Sequence, residues 1–146
     1  MTDLILAIVH HLLVFGLVAM LAIERVLAGA PVVDIPRLAR LDGGYGGTAT
    51  LIVLVGVGRV IRGGKGWAFY QANPFFWAKM ATFLLIGLIS IGPTLAFLRW
   101  ARAARADAGF QPSTPDRKRV ITALNLQALL LVVLLACAAA TARWPF

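Results

Sequence analysis

The residues of this chain that could do chemistry are few, and they sit in apolar surroundings. His10 and His11 lie inside the run Leu4 to Leu27, Arg59 near the end of a second run, and Lys79 among Phe75, Phe76, Trp77, Ala78 and Met80. An ionisable group in such a run is costly, so each is a candidate for function. At a rise of about 1.5 Å per residue, the histidines lie roughly 10 Å below the start of the first run, and Lys79 roughly 7 Å into the third. Arg59 approaches the same face from the second. Three runs therefore place His10, His11, Arg59 and Lys79 at one depth. Neighbours on a helix diverge by about 100°, so one histidine is expected to face inward; spacing does not say which.

The donor set limits the chemistry. No carboxylate pair accompanies the cluster, so metal hydrolysis and glycosidase mechanisms lack their parts. Met1, Met20 and Met80 are too scattered for a soft-metal path. Cys137, the only cysteine, lies in an apolar stretch and reads as a buried, inert thiol, which also excludes a disulfide scaffold and a Cys-rich zinc site. A haem iron needs one strong axial nitrogen, which a bundle histidine supplies. His10 and His11 point in different directions on one helix and cannot both bind one iron. Haem here would pair a histidine with Lys79, Met80, water or an open position.

A second polar set gathers near the other ends of the runs: Glu24, Arg25, Asp42, Tyr45, Arg99, Asn125 and Gln127. Glu24 with Arg99, and Asp42 with Arg25 or Arg40, are expected to pair and fix helix ends, as charged rims do at a membrane boundary. Asn125 or Gln127, lying deeper, is expected to bridge helices. Trp67, Phe69, Tyr70, Trp77 and Trp144 read as one interfacial aromatic belt, Trp100 and Phe110 as the other.

These residues must be positioned by elements that the composition already constrains. Of 146 residues, 60% are hydrophobic and 14% charged, with a mean hydropathy of +0.85. A small soluble domain leaves too much surface in water to hide so much apolar area. Crossing a bilayer takes about 20 apolar residues. Four runs qualify, roughly 4–27, 45–61, 75–98 and 120–141. The expectation is an all-α integral membrane four-helix bundle, a single transmembrane domain over residues 1–146 with short loops. Ala28-Gly29-Ala30 has the look of a cleavage site, but the first run is long and no Lys or Arg precedes it, so a retained span is expected.

The net charge of +8 reports orientation. Nine basic residues flank the first and third connections and four the opposite side, which places both termini outside by the positive-inside rule, in a bacterial inner membrane. No basic stripe with interleaved aromatics is present, so a nucleic-acid partner is excluded; the partners implied are the lipid bilayer and a homo-oligomer. Asp34 to Arg40 reads as an extended or interfacial link, Asp107 to Arg119 as a polar loop, Asn73-Pro74 as the start of the third span, and Pro93 as a kink within it. Nine of the 14 glycines fall between Gly43 and Gly66. Gly43-Gly44-Tyr45-Gly46-Gly47 lacks the Lys-Ser/Thr ending of a phosphate cradle, and Gly43 and Gly47 have the small-xxx-small spacing of close helix packing.

Asp42, Tyr45-Gly46, Gly58-Arg59, Lys65-Gly66-Trp67, Phe69-Tyr70, Asn73-Pro74-Phe75-Phe76-Trp77-Ala78-Lys79-Met80 and Ser90-Ile91 together resemble a bacterial family of small four-span membrane proteins without an assigned function. The likeness covers nearly the whole chain. More distantly, the layout resembles the HemJ-type protoporphyrinogen oxidases and the CopD type, through an early first-span histidine and a third-span Trp-x-x-Lys. Those features map onto His10 (or His11) and Trp77-Ala78-Lys79-Met80. That resemblance implies haem b with His10 as the iron ligand, and Lys79 as second ligand or essential base. The glycine-rich second span and Lys65-Gly66-Trp67 belong to the first family and not to HemJ. The functional expectation is a haem-b oxidoreductase acting on a porphyrin-like or quinone-like membrane-soluble substrate, with Lys79 and Arg59 catalytic, Arg59 drawing a carboxylate, and His10, His11 and Lys79 holding the cofactor. The alternative is a non-enzymatic subunit or small transporter that binds an anion, a lipid or a partner protein.

Overall fold

The computed structural model describes residues 2–62 and 66–145, with side chains from Leu4 onward; Lys65 lies outside the described residues. Five helices are present among them: α1 (Thr2–Gly29), α2 (Ile35–Arg62), α3 (Gly66–Ala72), α4 (Pro74–Ala106) and α5 (Thr114–Arg143). Four of them, all but α3, are long and apolar enough to cross a membrane.

Local chemistry explains where these helices start. The Asp34 carboxylate accepts from the Arg37 backbone N–H at 3.1 Å, and Pro36 falls in the first turn, where a missing N–H leaves no bond unmade. The segment Asp34 to Arg40 is therefore the capped opening of α2, and not the extended link that its prolines suggested. In the same way Ser113 caps α5 and Pro115 sits in its first turn. The polar loop expected over Asp107 to Arg119 thus shrinks to residues 107–113. Asn73 caps α4 as expected, accepting from Phe75 N and Phe76 N at 3.0 and 3.3 Å. Pro93 is buried inside α4, which continues to Ala106. The short helix α3 carries no strong sequence signal. It begins at Gly66 with φ +70°, a conformation that suits glycine.

The spans form a ring. α1 packs on α2 and α5, and α4 on α5 and α2, while α3 touches α2 and α4. The chain runs up and down, so both termini share one end with α3, and the two other connections occupy the opposite, loop end. That loop end is tied by polar bonds. Arg117 donates to the carbonyls of Ala28 (3.3 Å) and Ala30 (2.5 Å), supplying a cation and donors where α1 finishes. Gln111 accepts from Val33 N at 2.9 Å and donates to Val33 O at 3.4 Å.

The surface is inverted relative to a soluble protein. Phe15 and Val26 are each 70% exposed and Leu84 64%, whereas Glu24 and Gln127 are 1% exposed. Exposed aliphatics on every span and polar side chains within fit a hydrocarbon solvent, where outward apolar atoms lose nothing.

The glycines correct one expectation. Added Cβ atoms at Gly43, Gly46 and Gly47 would meet nothing within 4 Å, so these residues face outward and do not mediate packing inside this chain. α1 instead approaches α2 at Gly44 and Gly56, where an added Cβ would come 3.7 Å from the Met20 sulfur and 3.5 Å from the His10 ring. The face towards α1 is the one that bears Gly44, Thr48, Ile52 and Gly56, four residues apart.

Candidate functional site

His10, His11, Arg59 and Lys79 all line one cavity of about 590 Å³ at the terminal end of the bundle. Its floor includes Ile52 and Phe83, its sides Leu134 and Ala138, and its roof Trp67, Phe69, Tyr70 and Phe76. No Asp or Glu belongs to the described lining. The depth argument from sequence therefore converges on a single space bounded by α1, α2, α3, α4 and α5.

Each basic group is placed by a local feature. His10 turns toward α2, where Gly56 leaves room for its ring. Its Nδ1 is buried without a hydrogen-bond partner. His11 is exposed and stands edge-on to His10 at 6.3 Å between ring centroids. The His11 Nδ1 lies 2.6 Å from the Ala7 carbonyl. A carbonyl only accepts, so Nδ1 carries the proton and Nε2 is left for other contacts. The inward histidine is thus His10. Lys79 places its ammonium 5.3 Å from the Phe76 ring centroid, a cation–π distance. Arg59 and Lys79 are charged neighbours of His10, and Arg59 is also one of Lys79.

The roof is a connected set of aromatic edges. Trp67 meets Phe76 at 6.3 Å and Trp77 at 6.4 Å, Tyr70 meets Phe76 at 5.2 Å, and Phe69 meets Trp144 at 6.0 Å. The aromatic residues expected in one belt do gather at this end, and Trp67, Phe69 and Tyr70 turn inward over the cavity. Asn73 anchors this roof to α5 by donating to the Thr141 carbonyl at 3.1 Å. Phe83, Leu134, Ala138 and Thr141 were not candidates from sequence, because apolar lining looks like any other apolar span position.

At the loop end the expected ion pairs do not form. Among the described residues, Arg99 pairs with Asp116 at 3.8 Å, Arg25 donates to Asn125 at 2.7 Å, and Arg40 donates to the Pro36 carbonyl at 3.4 Å. The reason is angular. Arg25 follows Glu24 and is turned about 100° from it, so one points into the bundle and the other to its rim. Trp100 is likewise not an interfacial residue: it is 1% exposed and packs on Phe97 at 5.6 Å, with Nε1 unpartnered. Asp42 accepts from Thr94 at 2.9 Å. Gln127 does bridge helices, accepting from the Tyr45 hydroxyl at 3.1 Å. Cys137 is partly buried.

The chain matches, over residues 2–144, the family model described as predicted membrane protein (DUF2214), and it belongs to that family. Neither the curated proteins nor the solved structures yielded a match.

Proposed function

We propose that this member of the family binds, at the terminal end of its bundle, a membrane-soluble anion with an apolar body and a carboxylate or phosphate head. One observation carries the reading: two histidines, an arginine and a lysine meet in one apolar-walled cavity whose described lining holds no acid. A lysine ammonium beside two imidazoles in a low-dielectric space attracts an anion. A volume of about 590 Å³ suits a small-molecule ligand, for which pockets span roughly 300–1,000 Å³. Lys79, Arg59 and His11 take the head, and the aromatic roof and aliphatic walls take the body. The protein then serves as a binding or transport subunit in a bacterial inner membrane, with the cavity toward the outside, as the distribution of basic residues suggests.

A second reading, haem b or another porphyrin, is favoured by one atom. His10 Nδ1 is buried and has no hydrogen-bond partner, so no hydrogen bond at that nitrogen holds the ring against turning to a metal. The donor set fits the group: His10 would hold the iron, with Lys79, Arg59 and His11 near the propionates. The bound iron would supply one-electron chemistry toward a quinone-like acceptor, and the protein would then be an oxidoreductase of HemJ type. Lys79 then holds or exchanges a proton beside the substrate.

Titration of the detergent-purified protein with haem and with the iron-free porphyrin separates the two. Under the first reading both bind, and Lys79→Ala or Arg59→Ala weakens both by at least tenfold. Under the second, haem alone gives a shifted Soret band that His10→Ala abolishes and His11→Ala leaves in place. If anionic lipids, fatty acids and both porphyrins all fail to bind, the reading of the cavity as an anion site is wrong.

A further inference from the structure

The loop half of the bundle holds a second polar assembly, separate from the cavity. Glu24 of α1 is 1% exposed and Asp42 of α2 is 8% exposed. Tyr45 of α2 is 5% exposed and Gln127 of α5 1%, and the two are joined by the 3.1 Å bond. Thr94 of α4 donates to Asp42. All four spans therefore contribute. Glu24 stands one helical turn beyond Met20, which meets Thr48 and the Gly44 position of α2, so in the antiparallel pair it faces the α2 turn that carries Asp42 and Tyr45. Two buried acids on adjoining helices, with no cationic side chain bonded to either among the described residues, form an arrangement that needs positive charge from elsewhere.

Three further atoms show what kind of charge. Glu24 Oε1, Gln127 Nε2 and Trp100 Nε1 are buried and lack hydrogen-bond partners. Buried polar atoms are normally satisfied, so orphaned ones in this region point to something the side chains alone do not supply. Two of the three are N–H donors. The Tyr45 hydroxyl spends its hydrogen on Gln127, and Thr94 spends its own on Asp42. A metal cation is held by several converging charged or strong donors, and among the described residues no third carboxylate, histidine or cysteine joins these two. A proton needs one acceptor, and water can bridge the donors to it.

We propose that Glu24 and Asp42 form a proton-binding site inside the bundle. One proton from solution forms an O–H bond on a carboxylate oxygen of the pair, which takes the assembly from two negative charges to one. On α1 the neighbouring charge is Arg25, held by Asn125; on α2 there are Tyr45 and Arg40, the latter on the Pro36 carbonyl. At this end α4 carries Arg99, Arg102 and Arg105, of which Arg99 pairs with Asp116, and α5 carries Asp116, Arg117, Lys118 and Arg119, of which Arg117 is held by the α1 carbonyls. Arg25, Arg40, Arg99 and Arg117 are thus engaged with other partners, and among the described residues no cationic side chain bonds the pair.

Infrared spectroscopy of the detergent-purified protein tests this, because a protonated carboxylic acid has a carbonyl stretch above the amide band, and a carboxylate does not. The expected result is a band of this kind in the wild-type protein at neutral pH, shifted in deuterated buffer and lost in Glu24→Gln or in Asp42→Asn. Absence of the band from the wild-type protein overturns the proposal, and so does its persistence in both variants. The wild-type spectrum decides the first point without any variant having to fold. The same spectrum taken in choline chloride is expected to be unchanged. A band that appears only when sodium is withdrawn overturns proton binding in favour of a sodium site.

Discussion

Replacing Asn73 removes three hydrogen bonds from a fully buried side chain, and their separate contributions can be worked out. Its Oδ1 accepts from Phe75 N and Phe76 N, and its Nδ2 donates to the Thr141 carbonyl. That carbonyl cannot be satisfied along its own helix, because four residues on stands Pro145, which has no N–H. In Asn73→Ala, loss of the cap costs about 1 kcal/mol, and the orphaned, buried carbonyl costs about 1–3 kcal/mol. The total expected is about 2–4 kcal/mol. Asn73→Ser keeps a capping oxygen but cannot reach both partners, so it should cost about 1 kcal/mol less than alanine. The assay is unfolding in mixed micelles of rising sodium dodecyl sulfate, followed by the fluorescence of Trp67 and Trp77, which lie at the affected junction. A cost for Asn73→Ala below about 0.5 kcal/mol, the level of an inconsequential surface change, would refute the idea that Asn73 pins α4 to α5. Equal costs for serine and alanine would refute the division between cap and carbonyl.

Other outcomes follow from the same geometry. Tyr45→Phe leaves the Gln127 amide without its donor and should cost about 1–3 kcal/mol, while adding Gln127→Leu should recover most of that loss, as a double-mutant cycle in the same micelles would read. Gly56→Leu puts a bulky side chain where the His10 ring now approaches and should abolish porphyrin and fatty-acid binding in the titrations, with helicity by circular dichroism retained. Gly43→Ala and Gly47→Ala meet open space and should each raise bundle stability by about 0.5–1 kcal/mol through helix propensity. A loss of stability in these two variants, with a fall in mass by light scattering, would instead identify the stripe as the face of a homo-oligomer.

How much was legible beforehand differs from residue to residue. The shared depth of His10, Arg59 and Lys79 could be read because spans are straight and rise evenly, so position along the chain translates into height. Azimuth could not be read with the same ease. Glu24 and Arg25 are adjacent in sequence, yet one is sealed in the bundle and the other bonds Asn125 at the rim. Trp100 carries the same tryptophan signal as Trp67 and Trp77, but only its burial shows that it is core. A signal for the buried acids did exist: Glu24, Asp42, Tyr45 and Gln127 are polar positions within otherwise apolar stretches on different spans. Position alone puts Glu24, Asp42 and Tyr45 at a rim, because they lie near the ends of the apolar runs, whereas α2 begins ten residues before its run; Gln127, which lies deeper, reads as a helix bridge.

The sequence by itself determined that this is an all-helical membrane protein, because 60% hydrophobic residues cannot be hidden in so small a soluble fold, and because four runs have the length of a span. It also determined the height of each ionisable group. Tertiary structure alone decided which way those groups face. Facing depends on which helices adjoin and at what rotation, and hydrophobic periodicity is a weak guide when lipid and core are both apolar. That decision turned His10 toward the cavity and His11 to its exposed edge, swung the Gly43 and Gly47 stripe outward, and drew Glu24 and Asp42 together in the interior.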